Sequence, residues 1–537
     1  MTHNLEMKWG NSNVNTKSKP DLVILNTDCY TFNKNFSTTG AVAVLDGEIL
    51  ATGSTEDILD LKGPQTKEIN GQGKVLIPGF IDSHTHFAEL GVEESKYVDL
   101  SACKSKKELV KKVTDAAAKK QPGEWLIGVG WDETNWKGNA RIMDKEELDG
   151  YRGDIPIALR RVDGHLCCVN SKALDEINID PSTEGFQIKD GKPTGRLMEE
   201  ARIPLRHEIQ PTQDDFSDGI QAASKIAFQK GITAINETGI DEHQFQAYQR
   251  LRQKRELKVR TTLYFDHDLL ESMTHLGLQT GLGDEWLKIG GVKFLADGSI
   301  GARTAWMSDE YQDDCENKGF PIWDTETFQE KIDLAHDNNI QTATHAIGDR
   351  AIDQVVGCLE NATHRAKKNL RHRIEHFEVP SQRAIEKVKK LGFVVSAQPN
   401  FVRNWGGRNG MYKKRLLSDK FRTMNPFNLL IRKNIHLAFG SDCMPLGPLY
   451  GATGAVNAHL PEQRLEPLEA ILCYTRNAAY AGFNETFLGS IEPGKKADFV
   501  LLDQDPFKPK TSLESVEPLL TMVNGEIVFE GSGEVID

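Results

Sequence analysis

Short apolar runs alternate with amphipathic stretches along most of the middle of this chain. Stretches such as "TETFQEKIDLAHDNN" and "SQRAIEKVKKLG" repeat apolar residues near every 3.6 positions, which predicts helices, and the short apolar runs between such stretches predict buried strands. The predicted strands are "FIDSHTH" (80–86), "ITAINE" (232–237), "VRTTLYF" (259–265), "GVKFLAD" (291–297), "QTATHA" (341–346), "RIEHFE" (373–378), "VVSAQP" (394–399) and "HLAFGSD" (436–442). Strands that alternate with helices in this way predict the α/β class and a (β/α)8 TIM barrel, built from residues 78–87 and 231–479.

The two ends of the chain carry a different pattern. Residues 21–77 and 480–537 contain short strand-like runs, and "AVAVLDGEILATG" and "LLTMVNGEIVFEG" each place an Asp-Gly or Asn-Gly pair between such runs, which indicates β-hairpins. Each segment is short for an independent hydrophobic core. We therefore predict one composite β-sandwich domain built from both ends, with two separate β-flaps as the alternative. Residues 1–20 are polar, and a disordered tail is predicted there.

Residues 88–230 interrupt the barrel pattern after its first strand. This segment has strand-like runs of its own in "EWLIGVGWD" and "IPIALRRVDGH". Because the carboxyl end of a barrel strand leads to the mouth of the barrel, we predict an inserted subdomain that covers the mouth.

Composition narrows the class of partner. The formal net charge of −13 opposes binding to phosphate backbones and to anionic lipid, so we expect a small-molecule substrate and neither nucleic acid nor membrane as a partner. No apolar run reaches the ~20 residues that span a bilayer. The eight cysteines form no C-x-x-C pair, which favours reduced thiols and makes the cytoplasm the expected compartment.

Two histidines stand two positions apart where the first predicted barrel strand ends. On a strand, His84 and His86 point to the same face, so their imidazoles can converge on one cation. The pair alone is weak evidence. Four later strands carry further candidate ligands near their ends: Lys293, His345, His376 and Asp442. Because all strand ends of a barrel open onto one face, we predict a site there for a divalent metal, with zinc as the preferred ion.

The same residues carry a family resemblance. H-x-H followed by Lys, His, His and Asp on successive strands, with "VLIPGFIDSHTH" and "GSIEPGKKADFVLLD" at the two ends of the barrel, resembles the amidohydrolase superfamily of metal-dependent hydrolases. "GWDETNW", "RRVDGHLCCVNSKAL" and "KFLADGSIGARTA" are similar to the amidohydrolase-3 branch, which includes YtcJ-like proteins and N-substituted formamide deformylases. A homo-oligomer is compatible with this resemblance, although the sequence shows no symmetric patch.

The resemblance implies a metal centre of one or two ions. His84 and His86 would bind the more buried ion, and His345 and His376 the more exposed one. Lys293 would be carboxylated by CO2 and would bridge the two ions. The alternative for Lys293 is a free lysine beside a single ion.

The resemblance also implies hydrolysis of a carbon–nitrogen bond other than a peptide bond. Metal-activated hydroxide is expected to attack an amide- or formamide-like carbonyl, while Asp442 accepts the proton of the water and delivers it to the departing nitrogen. The alternative for Asp442 is a helix N-cap before "CMPLG". A free Lys293 would pair with Asp297 or contact the substrate. Asp82 shares the strand face of the two histidines and is expected to orient an imidazole, or to be an ordinary acid at a strand end.

Contacts with substrate are harder to predict. The candidates are His165, Arg303, Asp297 and Asp132, for which a structural salt bridge is an equally good explanation. Trp131 and Trp136 belong either to the core of the inserted segment or to an aromatic wall for an apolar substituent.

Two other functions compete with amide hydrolysis. The first is a deaminase that uses one metal ion on an amino-substituted ring; Lys293 argues against it, because the deaminases of this superfamily usually lack that lysine. The second is an inactive scaffold, which is disfavoured because all six candidate ligands are present.

Overall fold

The computed structural model describes residues 19–133, 136, 142–161, 166–183 and 185–531. Its strands, in chain order, are β1 (Leu22–Leu25), β2 (Asp28–Tyr30), β3 (Thr38–Thr39), β4 (Ala41–Leu45), β5 (Glu48–Gly53), β6 (Lys67–Asn70), β7 (Val75–Pro78), β8 (Phe80–Thr85), β9 (Val98–Asp99), β10 (Leu126–Trp131), β11 (Ile157–Arg161), β12 (Leu166–Val169), β13 (Phe186–Lys189), β14 (Lys192–Met198), β15 (Ile232–Ile240), β16 (Arg260–Asp266), β17 (Leu287–Leu295), β18 (Gln341–Ala346), β19 (Arg373–His376), β20 (Val394–Ala397), β21 (His436–Phe439), β22 (Phe499–Leu502), β23 (Pro518–Val523) and β24 (Glu526–Glu530).

The α-helices, in chain order, are α1 (Thr55–Leu59), α2 (Phe87–Lys96), α3 (Lys106–Ala117), α4 (Lys145–Asp149), α5 (Ser171–Glu176), α6 (Ile203–Glu208), α7 (Gln213–Gln229), α8 (Glu242–Gln253), α9 (Leu270–Leu276), α10 (Thr325–Asp337), α11 (Asp349–Arg365), α12 (Gln382–Leu391), α13 (Pro399–Trp405), α14 (Met411–Arg415), α15 (Ser418–Thr423), α16 (Phe427–Arg432), α17 (Pro448–Val456), α18 (Pro467–Cys473) and α19 (Arg476–Ala481). Most of the predicted N-terminal tail, residues 1–18, lies outside the described residues.

Eight parallel strands form the central sheet, in the hydrogen-bonded order β21-β20-β19-β18-β17-β16-β15-β8. These are the eight runs identified in the sequence, so the predicted strands are confirmed. The helices predicted at 325–339 and 381–392 are confirmed as α10 and α12. Each of these two helices begins at a side-chain cap, from Asp324 and Ser381 respectively, and α12 ends at Gly392, which takes the left-handed conformation that glycine tolerates.

The first and last strands of this sheet meet and nearly close it into a barrel. Asp442 N donates to His84 O (2.8 Å), and Ser441 N donates to Asp82 Oδ1 (2.9 Å). Gly440 permits this approach, because a Cβ at that position would lie 2.4 Å from His84 N. The closure therefore places the turn after β21 directly against the end of β8.

The inserted segment contains a mixed sheet in the order β13-β14-β12-β11-β10-β9. The two runs predicted as strands within it are present as β10 and β11, which pair in parallel. A separate hydrophobic cluster, with Leu126, Trp131 and Leu159 among its members, supports this sheet. That the segment covers the barrel mouth stays a prediction.

Helices α2 and α7 pack against each other and against the barrel. Phe87 and Phe216 belong to the hydrophobic cluster that also contains the barrel strands. The crossing is close, since a Cβ on Gly91 would lie 1.8 Å from Gly219 O. Apart from Phe87, both helices fall within the residues 88–230 that the sequence predicts as the insertion. Apolar periodicity does not reveal which surface a helix covers, so the sequence did not predict that they pack with the barrel.

Both chain ends contribute to one sheet, in the order β24-β23-β22-β7-β2-β3. In its antiparallel ladder between β22 and β7, Phe499 pairs with Pro78. A second sheet, β5-β4-β1-β6, comes from the N-terminal segment and shares a buried cluster with the first sheet. The predicted Asp-Gly and Asn-Gly hairpins are present between β4 and β5 and between β23 and β24. The division of the chain into domains stays a prediction.

Within the residues that the structure describes, none of the helices combines the length and the apolar character that a transmembrane span requires.

Candidate metal centre

Three predicted ligands converge at the junction of the first and last barrel strands. His84 lies in β8 and is fully buried, His86 follows at the start of α2, and Asp442 lies in the turn after β21. One ligand atom from each lies within 4.8 Å of the others. Asp442 Oδ1 is 3.2 Å from His86 Nε2 and 3.7 Å from His84 Nε2. Two imidazoles and a carboxylate at this separation fit a divalent metal ion of the zinc type.

Lys293 lies against this group. Its side chain projects from β17 and the residue is 5% exposed, with Nζ 3.2 Å from His84 Nε2. Burial lowers the pKa of Lys293. Burial therefore shifts the amine toward its neutral form, which is the form able to react with CO2.

His345 and His376 bring two more rings to the same place. Their ring centroids are 4.4 Å apart, and the His376 ring lies 5.0 Å from that of His84. His345 Nε2 lies 3.0 Å from the oxygen of Gly298, so this nitrogen carries the proton and Nδ1 keeps its lone pair. His376 Nδ1 is buried and has no hydrogen-bond partner among the described residues. A metal ion bound to this nitrogen would give the buried polar atom the partner that it lacks.

The pKa shifts of three of the four histidines favour the neutral ring that binds a metal ion. Burial, followed by the charge of Lys293, lowers the pKa of His84 and of His345 to about 4. Burial also lowers the pKa of His376 well below its ordinary value. For His86, burial lowers the pKa, but the hydrogen bond and charge of Asp442 outweigh it and the pKa is raised. Neutral imidazoles expose a lone pair at pH 7, which metal binding requires.

A buried ion pair orients His84. His84 Nδ1 is 2.6 Å from Glu375 Oε2, and Glu375 in turn accepts from Arg373 Nε (2.8 Å) and Nη2 (2.9 Å). All three side chains are fully buried. Despite burial, the charge of Arg373 and the hydrogen bond from His84 hold the pKa of Glu375 well below its usual range. Glu375 therefore fixes Nδ1 as the protonated nitrogen and leaves Nε2 free for a ligand.

Sequence reasoning missed Arg373 and Glu375. A usable signal existed: in "RIEH" the two charged residues are two positions apart on a short barrel strand, which puts both on the same face. His376 joins the site through a break in that alternation, because its φ is +69°. Asp442 also has a positive φ, +53°. Non-glycine residues in this conformation are uncommon and concentrate at functional sites.

Asp82 does not orient an imidazole. Its Oδ1 accepts from the backbone N–H of His84 (3.2 Å) and of Ser441 (2.9 Å), so it joins the two strands that carry His84 and Asp442. Burial raises the pKa of Asp82 to about 7. The alternative role of Asp442 as a helix N-cap is not found, since α17 begins at Pro448 with Gly447 as its N-cap.

Two neighbours of His376 that could have been the strand-end ligand are engaged elsewhere. His372 Nε2 bonds to His336 Nδ1 (2.9 Å), and its Nδ1 accepts from Thr342 N (3.0 Å). Glu378 is buried, and its Oε2 lies 3.4 Å from Asn425 Nδ2. Of these side chains, the one beside His84 is that of His376.

Two of the predicted substrate contacts, Arg303 and Asp132, form ion pairs in the structure, and their contact with substrate stays a prediction. Arg303 makes a two-point ion pair with Asp313 (3.0 and 3.1 Å). Asp132 pairs with Arg161 at 3.3 Å. His165 lies outside the described residues. A charged side chain can pair with another residue of the protein or with the substrate, and the sequence does not distinguish these two roles.

Asp297 is an anchor for loops rather than an exposed contact. It is 1% exposed and accepts three backbone N–H groups, from Trp306 (2.8 Å), Ile347 (3.0 Å) and Gly348 (2.9 Å). The proposed pairing of Lys293 with Asp297 is replaced by the contact of Lys293 with His84.

The two tryptophans of the insertion are core residues. Trp131 and Trp136 are buried, and their indole N–H groups donate to Leu159 O and Cys103 O. The aromatic-wall interpretation is therefore wrong for both.

Comparison with known proteins agrees with this geometry. A model of the amidohydrolase family matches residues 67–529. Putative amidohydrolase YtcJ of Bacillus subtilis is 31% identical over 532 residues, 94% of this chain and 98% of that protein. N-substituted formamide deformylase of Arthrobacter pascens is 24% identical over 96% of this chain and 99% of its own length. An uncharacterized metal-dependent hydrolase from Pyrococcus furiosus superposes with a TM-score of 0.80 at 28% identity, over 91% of this chain and all of that one. This chain therefore belongs to the amidohydrolase family of metal-dependent hydrolases.

Proposed function

We propose that this protein hydrolyses a carbon–nitrogen bond, other than a peptide bond, in a small amide- or formamide-like substrate. The observation that carries the proposal is the convergence of His84, His86 and Asp442 within 4.8 Å, with the Lys293 amine 3.2 Å from His84. The relation to a formamide deformylase over nearly the whole chain supports this class of bond.

Zinc is the ion we propose, and the donor set favours two ions. His84, His86 and Asp442 would hold one ion, while His345 and His376 would hold the other with a carboxylated Lys293 between them. Bound ions would polarise the substrate carbonyl and lower the pKa of a water molecule toward neutrality.

The residues of this chain supply the rest of the chemistry. Glu375 holds His84 in the tautomer whose Nε2 faces the site. Asp442 is ionised at neutral pH, because the hydrogen bond from His86 lowers its pKa against the effect of burial. Its carboxylate can therefore accept a proton from water and transfer it to the departing nitrogen.

The experiment joins metal analysis to a substrate panel. The purified protein is loaded with Zn2+ and bicarbonate, its metal content is measured, and it is assayed on formamides, N-acyl amines and cyclic ureides. We expect bound zinc and turnover of at least one C–N substrate. Asp442→Asn should lower turnover by about 10²- to 10⁴-fold, the usual contribution of a general base, while part of the metal is retained. Asp337→Asn, which makes the same change in a surface ion pair with Arg365, is the matched control and should keep full activity.

The same measurements discriminate the competing functions. One ion per chain, no CO2 adduct on Lys293 and turnover of an amino-substituted ring would replace the proposal with a deaminase. Undiminished turnover in the Asp442→Asn protein would refute the assigned role of Asp442 even with metal bound.

A further inference from the structure

Asp266 lies on the rim of the barrel, one strand away from the candidate ligands. It is the last residue of β16 and pairs in register with Lys293 on β17. Paired residues of a parallel ladder point to the same face. Two residues earlier on β16, Tyr264 points into the barrel, where its hydroxyl donates to Gln341 Oε1 (2.6 Å) and Arg373 lies over its ring. Asp266 therefore faces the barrel mouth beside Lys293.

The electrostatic interaction of the two side chains agrees with this placement. The charges of Asp266 and Lys293 are close enough for each to shift the pKa of the other. Asp266 thus belongs to the surroundings of the metal centre, although it is not among the predicted ligands.

The carboxylate of Asp266 is held on one side and open on the other. His267 Nδ1 lies 2.7 Å from Oδ1, and Asp268 N donates to the same oxygen at 3.1 Å. No residue in the described part of the chain hydrogen-bonds Oδ2, and the side chain is 37% exposed. One oxygen is therefore fixed in place while the other is available at the mouth.

Aromatic packing holds His267 in position. Its ring meets Trp323 edge-on at 5.1 Å and 86°, and it lies 6.0 Å from the ring of Phe294. Trp323 is tied to β17, since its Nε1–H donates to Leu295 O (2.8 Å). The imidazole can thus act as a fixed support for Asp266 rather than as a mobile surface side chain.

The charge and the apolar surface of this rim define what it can bind. Asp266 and Asp268 carry two negative charges, so the group stays net negative whether or not His267 is protonated. Leu295 lies on the same face as Lys293, pairs in register with His345 and is 42% exposed. A cation at the end of an apolar chain satisfies both features, since the chain covers Leu295 and the cation meets Asp266.

We propose that Asp266 is a specificity-determining residue that binds an ammonium or guanidinium group on the non-reacting part of the substrate, with His267 as its positioning residue. This inference rests on the proposed C–N hydrolysis for the identity of the reacting end. It makes the preferred substrate a cationic amide or formamide rather than a neutral one.

Two substrates that share a six-carbon chain test the inference. N-(6-aminohexyl)formamide ends in an ammonium group, and N-hexylformamide ends in a methyl group. Both are assayed with the zinc-loaded wild-type protein and with Asp266→Asn. Asp337→Asn is the matched control, because it removes the same charge from a surface ion pair with Arg365. Calorimetric binding and metal content are measured for the same proteins.

We expect the wild-type protein to favour the aminohexyl compound by about tenfold in kcat/KM, as for a partly exposed ion pair, and chiefly through KM. Asp266→Asn should abolish this preference, which is measured as the ratio of the two kcat/KM values so that a change common to both substrates cancels. Asp337→Asn should change neither substrate by more than twofold. His267→Phe keeps the aromatic packing and should lower the same ratio.

Other results overturn the inference in recognisable ways. Equal losses of kcat/KM on both substrates in Asp266→Asn would indicate that Asp266 acts on Lys293 rather than on the substrate. A loss of one metal ion per chain in the same variant would indicate that Asp266, His267 and Asp268 form a metal site. Turnover of both compounds without preference would refute the cation site and leave the proposed function standing. Selective binding of the aminohexyl compound without turnover, lost in Asp266→Asn, would refute the hydrolysis and leave the cation site standing.

Discussion

Replacing Glu375 by glutamine should weaken both the fold and the metal centre. The side chain is fully buried between Arg373 and His84, and Gln keeps its shape while removing its charge. The guanidinium would then be buried without a counter-ion, with Ser83 O and the Ser396 hydroxyl as its remaining acceptors. Breaking a buried ion pair in this way costs about 3–5 kcal/mol. We expect the lower end of that range, because the Gln oxygen still accepts one hydrogen bond.

The loss of metal affinity follows from hydrogen-bond direction. If the Gln oxygen faces Arg373, its NH2 group faces His84 Nδ1, and His84 must move its proton to Nε2. If the oxygen faces His84, the NH2 group opposes the guanidinium donors. The first arrangement removes the tautomer that presents Nε2 to the site. The second keeps that tautomer only by placing the NH2 group against the donors of Arg373, so His84 is held less firmly in both cases and zinc affinity should fall by about 10- to 100-fold.

Two measurements on the same variants separate these effects. Urea unfolding of the metal-free protein, followed by tryptophan fluorescence, reports stability, and competition with a chelator reports zinc affinity. Glu386→Gln removes a surface ion pair with Lys433 and should cost at most about 1 kcal/mol. Combining Glu375→Gln with Arg373→Met removes the unpaired charge and should restore part of the stability, but not the zinc affinity. The reasoning fails if Glu375→Gln leaves the free energy of unfolding within 1 kcal/mol of wild type and zinc affinity unchanged.

Three further outcomes follow from particular side chains. Burial lowers the pKa of His372 from 6.5 to about 3, so between these values the unfolded chain binds a proton at His372 that the folded chain does not. His372 by itself should therefore lower stability by about 1.4 kcal/mol per pH unit as pH drops below 6.5, and urea titrations at several pH values should show the total slope reduced by one proton in His372→Asn. Zinc content and turnover should rise when bicarbonate is added to protein prepared without CO2, and Lys293→Met should not respond to bicarbonate; equal values with and without it would exclude a carboxylated lysine. Gly440→Ala should lower the free energy of unfolding by about 1–3 kcal/mol or more through overpacking, because its Cβ would lie 2.4 Å from the backbone of His84. Gly357→Ala, in α11 with open space around it, should raise the free energy of unfolding by about 1 kcal/mol. Thermal melting of the two variants compares them directly.

Local patterns in the sequence determined the elements of this fold. A strand needs only a short apolar run, an amphipathic helix only its 3.6-residue period, and a hairpin only a turn pair such as Asp46-Gly47. Each of these features depends only on residues that are close together in the sequence. The structure therefore has the predicted elements at the predicted places: the eight barrel strands, α10, α12 and both hairpins. The family follows from the same short motifs, because ligands at strand ends share one rim of a barrel.

Tertiary structure alone decided which partners these residues take. His84 and Glu375 are 291 positions apart, and their contact depends on how the strands between them curve and close. The same dependence turned Asp297 into a loop anchor and Arg303 into the partner of Asp313, although charge and position along the chain favoured a site role equally well. The partner of a charged side chain in the barrel mouth depends on which residues the closing of the barrel places beside it. The sequence therefore determined which candidate metal ligands lie at the strand ends, and the closing of the barrel determined which of them face one another.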